Sequence, residues 1–219
     1  MRILLCTDSL GCPREEIGVV DTWTDRIISK WSGNNIYFYT YCKHGLASKD
    51  IDINYVKEIE PDLIIMQVGI VDACRRSLSR LELSIISRIP IVRRLVRIIS
   101  NRFHYTITRI RNVHYCSIYE FKNSITKIKN ETSSKMVFIC IAPAGSSLVK
   151  KVYDVQNDID RYNAVIKEMS DVVFINPYTG NTDDYIIATD GHHLNLRGEE
   201  MVFRAVDEVI KRILEERNV

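Results

Sequence analysis

Short apolar runs alternate with longer amphipathic stretches along most of this chain. The first run, Ile3-Leu4-Leu5, reads as a buried strand and stops abruptly at three turn-forming polar residues, Thr7-Asp8-Ser9. The aromatic stretch 36–41 reads as a second strand. Residues 63–68 form a continuous apolar run, the pattern of a strand covered on both faces. Residues 136–142 and 172–175 supply a fourth and a fifth strand. Between them, apolar spacings of three and four predict helices around Trp23, Ile27, Ile28 and Trp31, around Ile118, Phe121, Ile125 and Ile128, and from Val155 to Met169. Met201, Val202, Ala205, Val206, Val209, Ile210, Ile213 and Leu214 mark an amphipathic C-terminal helix. A weaker helix is expected near 48–59. Pro13 could start another, with Glu15 and Glu16 at its positive end. Ser32-Gly33-Asn34-Asn35 is expected to end the helix around Trp23.

Strands that alternate with helices imply a parallel sheet with helices on both faces. The expected fold is therefore α/β: a flavodoxin-like three-layer sandwich with a five-stranded parallel sheet, in one domain over residues 1–219. An insert at 73–112 interrupts the alternation after strand three. Within it Ile91, Val92, Leu95, Val96, Ile98 and Ile99 share one helical face, opposite Arg93, Arg94 and Arg97, and Pro90 suits the first turn. Residues 102–108 alternate apolar with polar and leave helix and strand both open.

Composition sharpens this picture at one place. The chain is 46% hydrophobic and 26% charged, as is ordinary for a globular protein. No apolar run approaches the ~20 residues needed to span a bilayer. The N-terminus is a poor signal peptide, so a cytoplasmic protein is expected. The six cysteines show no metal-like spacing, and reduced thiols are the default. The net charge of +2 hides an asymmetry: residues 73–112 hold ten arginines, no lysine and one acid, Glu82, so the rest of the chain is net acidic.

In a flavodoxin-like sheet the ligand crevice lies where the strand order reverses, at the carboxyl ends of the strands. Four loops deliver motifs to that edge: Ser9 after strand one, Gly45 after strand two, Gly69 to Asp72 after strand three, and Asp190 with His193 after strand five. A serine hydroxyl needs an adjacent base, and histidine titrates in the right range. A carboxylate can fix the tautomer of that histidine. Asp190 and His193 could supply both from one turn.

Here the sequence resembles the SGNH, or GDSL-like, serine hydrolases over residues 7–195. Thr7-Asp8-Ser9-Leu10 is similar to the family's Gly-Asp-Ser-Leu block, with threonine for glycine. Asp190-Gly191-His192-His193 resembles its Asp-x-x-His block, and Gly69-Ile70-Val71-Asp72 its Gly-x-Asn-Asp block. The resemblance implies Ser9 as nucleophile, His193 as base and Asp190 as its partner, with the N–H groups of Ser9 and Gly45 as the oxyanion hole. The departure is Val71, which cannot donate the hydrogen bond of the family's asparagine. Such a donor elsewhere is worth on the order of 10²–10³ in rate. The variant third block resembles a subgroup linked to bacterial surface-polysaccharide synthesis.

These readings lead to a serine esterase that removes or transfers a small acyl group, such as acetyl, on a carbohydrate or polysaccharide precursor. Arg14, Gly69, Asp72 and Arg75 are candidate substrate-binding residues, and Arg14 and Arg75 are also candidates to replace the missing donor. His192 is expected to line or flank the site. No metal and no cofactor is expected. The alternative is a catalytically impaired protein of the same fold that binds an anionic glycan, a nucleotide-sugar or a membrane surface. Arginine suits bidentate binding of phosphate and carboxylate. The insert is therefore expected to meet an anionic substrate, or an anionic membrane or polymer, rather than nucleic acid, for which no recognised motif is present.

Overall fold

The computed structural model describes residues 1–33 and 35–217; Asn34, in the expected helix-ending turn, and the last two residues lie outside the described residues. Five strands, β1 (Arg2–Thr7), β2 (Tyr37–Cys42), β3 (Leu63–Gln67), β4 (Lys135–Ile139) and β5 (Val172–Ile175), form one sheet in the order β2-β1-β3-β4-β5. Every pairing is parallel. The order reverses between β1 and β3, so their carboxyl ends open a crevice.

The helices are α1 (Trp23–Trp31), α2 (Ile53–Ile59), α3 (Ile70–Ala73), α4 (Arg80–Ile86), α5 (Pro90–Arg102), α6 (His104–Arg111), α7 (Ile118–Glu131), α8 (Ser146–Lys151), α9 (Val155–Lys167) and α10 (Leu196–Arg217). Alternate residues of each central strand point to opposite faces. Leu4, Ile64, Met66, Met136 and Phe138 pack with Val56 of α2, Phe121, Ile125 and Ile128 of α7, and Ile159 of α9. Ile3, Leu5, Ile65, Val137 and Ile139 pack with Trp23 and Ile27 of α1 and with Val202, Val206 and Ile210 of α10. Two cores, one on each side of the sheet, explain why these strands are apolar without interruption.

Local chemistry explains where the structure departs from the pattern. Pro13 starts no helix, because Arg14 and Ile17 exchange backbone hydrogen bonds of 2.9 and 3.1 Å and close a tight turn. α1 begins only at Trp23, where the Thr22 hydroxyl accepts from the Asp25 N–H. The stretch near 48–59 splits into a single 3-10 turn, Ser48–Asp50, and α2, capped by Asp52. Residues 104–111 are helical, so their alternation was no strand signal. Residues 146–151 form the short helix α8.

The insert folds as α4, α5 and α6. α4 opens with a capping box: the Ser79 hydroxyl accepts from the Glu82 N–H, while the Glu82 carboxylate accepts from the Ser79 N–H. Pro90 occupies the first turn of α5. No residue of α4 or α5 is buried. Among the described residues, no helix is long and apolar enough to cross a membrane.

Candidate active site

β1 ends at Thr7, and the chain turns through Asp8 into a one-turn 3-10 helix, Ser9–Gly11. The Asp8 carboxylate accepts from the Leu10 N–H at 2.9 Å, and an Arg14 guanidinium N–H donates to the Ser9 carbonyl. These bonds hold the turn that presents the Ser9 hydroxyl. Thr7 is accommodated because Gly11 is opposite: a Cβ on Gly11 would collide with the Thr7 side chain. Burial pushes the Asp8 carboxyl up to about 7.

The long loop after β5 brings its histidines to the same edge. His193 Nε2 lies 2.9 Å from Ser9 Oγ, and His193 Nδ1 lies 2.7 Å from Asp190 Oδ2. The other Asp190 oxygen accepts from the N–H groups of His192 and His193, at 2.9 and 3.0 Å. Burial alone would raise the Asp190 carboxyl. The ring N–H of His193 and these two backbone N–H groups outweigh it and hold Asp190 well below the usual carboxylate range. An ionised Asp190 takes the Nδ1 proton as a hydrogen bond, which leaves Nε2 to accept from the serine hydroxyl. His192 packs against the His193 ring with centroids 4.0 Å apart. Burial, then repulsion from His193, pushes His192 down to about 4. His192 therefore remains neutral beside the base at ordinary pH.

Gly45 lies in the turn after β2 with φ +69° and lines the pocket beside Ser9. Among the described residues, neither the Ser9 nor the Gly45 N–H donates to a backbone or side-chain acceptor. Asp72 does not face the pocket. It is fully buried and accepts from the Ser48 N–H at 3.0 Å and the Ser48 hydroxyl at 2.7 Å. It thus fixes the loop that carries Gly45. Gly69 caps α3 at φ +126°, and a Cβ there would stand 2.5 Å from the Ile141 side chain. Only glycine fits that turn without strain.

Val71 lines the pocket and brings no donor. Arg14 is not among the residues that line the pocket, and its Nη2 donates to the Ser9 and Cys12 carbonyls behind the serine. Arg75 lines the pocket, but Asp158 takes it at 2.6 and 3.2 Å and Asp154 at 3.1 Å. Arg75 is thus tied to the protein, whereas Arg14 is held through Nη2, with Nε and Nη1 buried without a partner among the described residues.

The cavity at Ser9 measures about 350 Å³, and Ile70, Val71, Leu148 and Val152 form much of its apolar wall. Arg76, His104 and Lys151 also line it. From the sequence Arg76 reads only as one of the ten insert arginines, His104 as a residue of the insert with no role, and Lys151 carries no signal. The doublet Arg75-Arg76, two residues beyond the third block, was the available signal, and the topology decides which of the pair meets a carboxylate. Asp190, His192 and His193 are, among the described residues, the group whose ligand atoms converge closely enough for a metal ion. Both ring nitrogens of His193 are already engaged with Ser9 and Asp190, so the arrangement suits proton transfer better than metal binding.

No protein-family model matches the sequence, and no curated protein does. Solved structures match the fold across nearly the whole chain. A lipase/acylhydrolase from Enterococcus faecalis superposes with a TM-score of 0.64 at 16% identity, covering 96% of this chain and 95% of that one. A member of the lipolytic protein G-D-S-L family from Veillonella parvula gives 0.58 at 13% identity, covering 97% and 99%. An acetyl xylan esterase from Geobacillus stearothermophilus gives 0.58 at 13% identity, covering 94% and 92%. The sheet order, the helices on both faces and these matches together give the chain the fold of the SGNH, or GDSL-like, hydrolases.

Proposed function

We propose that this protein is a carboxylic ester hydrolase that acts through an acyl-serine intermediate on Ser9. One observation carries the reading: the unbroken hydrogen-bond chain from the Ser9 hydroxyl through His193 to Asp190, at 2.9 and 2.7 Å. His193 Nε2 takes the hydroxyl proton as Oγ attacks the ester carbonyl carbon. The carbonyl π electrons move onto oxygen, which faces the N–H groups of Ser9 and Gly45. The tetrahedral intermediate collapses, the C–O bond to the alcohol breaks, and His193 returns the proton to that alcohol. Water repeats the sequence and frees Ser9. Asp190 holds the imidazole in the productive tautomer and stabilises its charged form.

The acyl group is small, such as acetyl, and the alcohol is a carbohydrate. The apolar wall of Ile70, Val71, Leu148 and Val152 suits an apolar acyl group. A fold match to a protein described as an acetyl xylan esterase supports the sugar side of the reading. Purified protein is expected to hydrolyse 4-nitrophenyl acetate and acetylated sugars, and Ser9→Ala to lower kcat by on the order of 10⁶. Equal rates for the two proteins would remove Ser9 from the chemistry.

Val71 favours a second reading, a binding protein of the same fold. A hole of two donors in place of three gives up on the order of 10²–10³ in rate. Saturable binding of an acetylated glycan without any turnover would establish that reading in place of the first.

A further inference from the structure

The arginines of residues 73–112 divide by whether a carboxylate meets them. Arg75 is held by Asp158 and Asp154, Arg80 by Asp50, and Arg111 by Glu82. Arg76 has no carboxylate within 4.0 Å among the described residues, although it lines the catalytic pocket. Its backbone is fixed, since its N–H donates to the Val113 carbonyl at 2.8 Å. Its guanidinium lies 4.9 Å from the centre of the Tyr115 ring. Nη2 reaches only the Val71 carbonyl, at 3.4 Å, and Nε is buried with no partner. A buried guanidinium donor without an acceptor is costly unless a ligand supplies one.

Arg76 also lines a second cavity of about 310 Å³ beneath α5, and shares that position with His104. The second cavity takes Arg93 and Arg97 from α5. Among the described residues, Asp190 is the one carboxylate on the wall of either cavity, and its oxygens are committed to the two histidines. The route away from the triad is therefore strongly cationic.

We propose that the substrate carries a phosphate or carboxylate on the alcohol side of its ester, and that Arg76 binds this group where the catalytic pocket meets the cleft under α5. Arg93 and Arg97 provide the field that draws the anion in. The proposal rests on the ester-hydrolase reading and adds the charge of the substrate. The test compares 6-O-acetylglucose with 6-O-acetylglucose 1-phosphate, and with an O-acetylated glucuronic acid to separate phosphate from carboxylate. One anionic ester or both should show kcat/KM about 10- to 100-fold above the neutral ester, mainly through KM. Arg76→Met should collapse that ratio toward one. Should Arg76→Met fail to fold, the exposed Arg97→Gln should lower the ratio, and added salt should do so in the unaltered protein. Equal kcat/KM for neutral and anionic esters would overturn the proposal while leaving the hydrolase reading intact. No turnover of any ester would fail the hydrolase reading instead.

A different observation carries a second inference. α5 is inverted: its arginine face lines the cleft, and its apolar face points away from the protein. Ile91, Leu95, Ile98 and Ile99 recur at helical spacing and are 76%, 56%, 56% and 52% exposed. Arg94 and Arg102 border this strip, both exposed. A second copy laid face to face would bring these cations against their equivalents. An anionic lipid surface satisfies both the apolar strip and its charged borders.

We infer that α5 lies on an anionic membrane through this strip. Vesicles of phosphatidylcholine with phosphatidylglycerol should co-sediment the protein, and phosphatidylcholine alone should retain at least about tenfold less. Combined Ile91→Ser, Leu95→Ser and Ile98→Ser changes should abolish binding. Equal retention on both vesicles, no retention on either, or a concentration-dependent dimer lost in the triple variant would each contradict it.

Discussion

α10 and α5 are both amphipathic, and they use that property in opposite ways. α10 buries Val202, Val206 and Ile210 against the sheet, together with Trp23 and Ile27. α5 buries nothing and lines the second cavity with Arg93 and Arg97. The contrast separates a scaffold, whose apolar faces are buried against the sheet, from an insert, whose apolar side chains stand exposed. Periodicity reveals that a helix has two faces, but which one is buried depends on what the topology places beside it.

Substitutions can break or sharpen this division. The largest effect belongs to the scaffold's site: Asp190→Asn should cut kcat by about 10⁴, because the amide no longer fixes the His193 tautomer. Steady-state kinetics would show it, and a loss below about tenfold would mean the imidazole is held by something else. Next, Phe138→Ala removes a fully buried ring packed edge-on to Phe121, at 88° between planes. It should cost about 3–5 kcal/mol in urea unfolding.

Glu199 gives a smaller, pH-dependent effect. Burial pushes its carboxyl up to about 7, from an ordinary 4.5, beneath α1, where it accepts from the Trp23 N–H. The folded state therefore favours the protonated form. Its contribution is complete below about 4.5 and is lost as pH rises through about 7. Glu199→Gln should flatten the fall in melting temperature between these values, by an equivalent of up to about 3 kcal/mol. A profile of unchanged slope would assign that fall to other groups. The smallest effect should come from the insert: Leu95→Ser or Ile98→Ser should change stability by no more than about 0.5 kcal/mol. A cost of several kcal/mol would show that α5 is packed in solution and would dissolve the comparison.

The central fold was legible because its strands are buried on both sides and its long helices have one apolar face each. Leu63 to Gln67 and Val202 to Ile210 announced themselves this way. The motif residues at 9, 45, 69–72 and 190–193 were legible as loops delivered to one edge. Less was visible where short elements depend on tertiary partners. α3 spans only Ile70–Ala73, and α8 rests on the Gly145–Gly191 backbone contact at 2.7 Å. Asp72 read as a substrate-binding candidate, although its carboxylate serves Ser48. Arg75 and Arg76 are identical to a sequence reading. Only the position of Asp158 on α9 makes one structural and leaves the other facing the pocket.

The proposed hydrolysis depends on an alcohol at residue 9 made nucleophilic by His193. Incubation with a serine-directed fluorophosphonate, followed by peptide mass spectrometry, tests this most directly. The modification should fall on Ser9 alone, disappear in Ser9→Ala, and form far more slowly in Asp190→Asn. An unlabelled Ser9, or labelling that persists in Ser9→Ala, would contradict it.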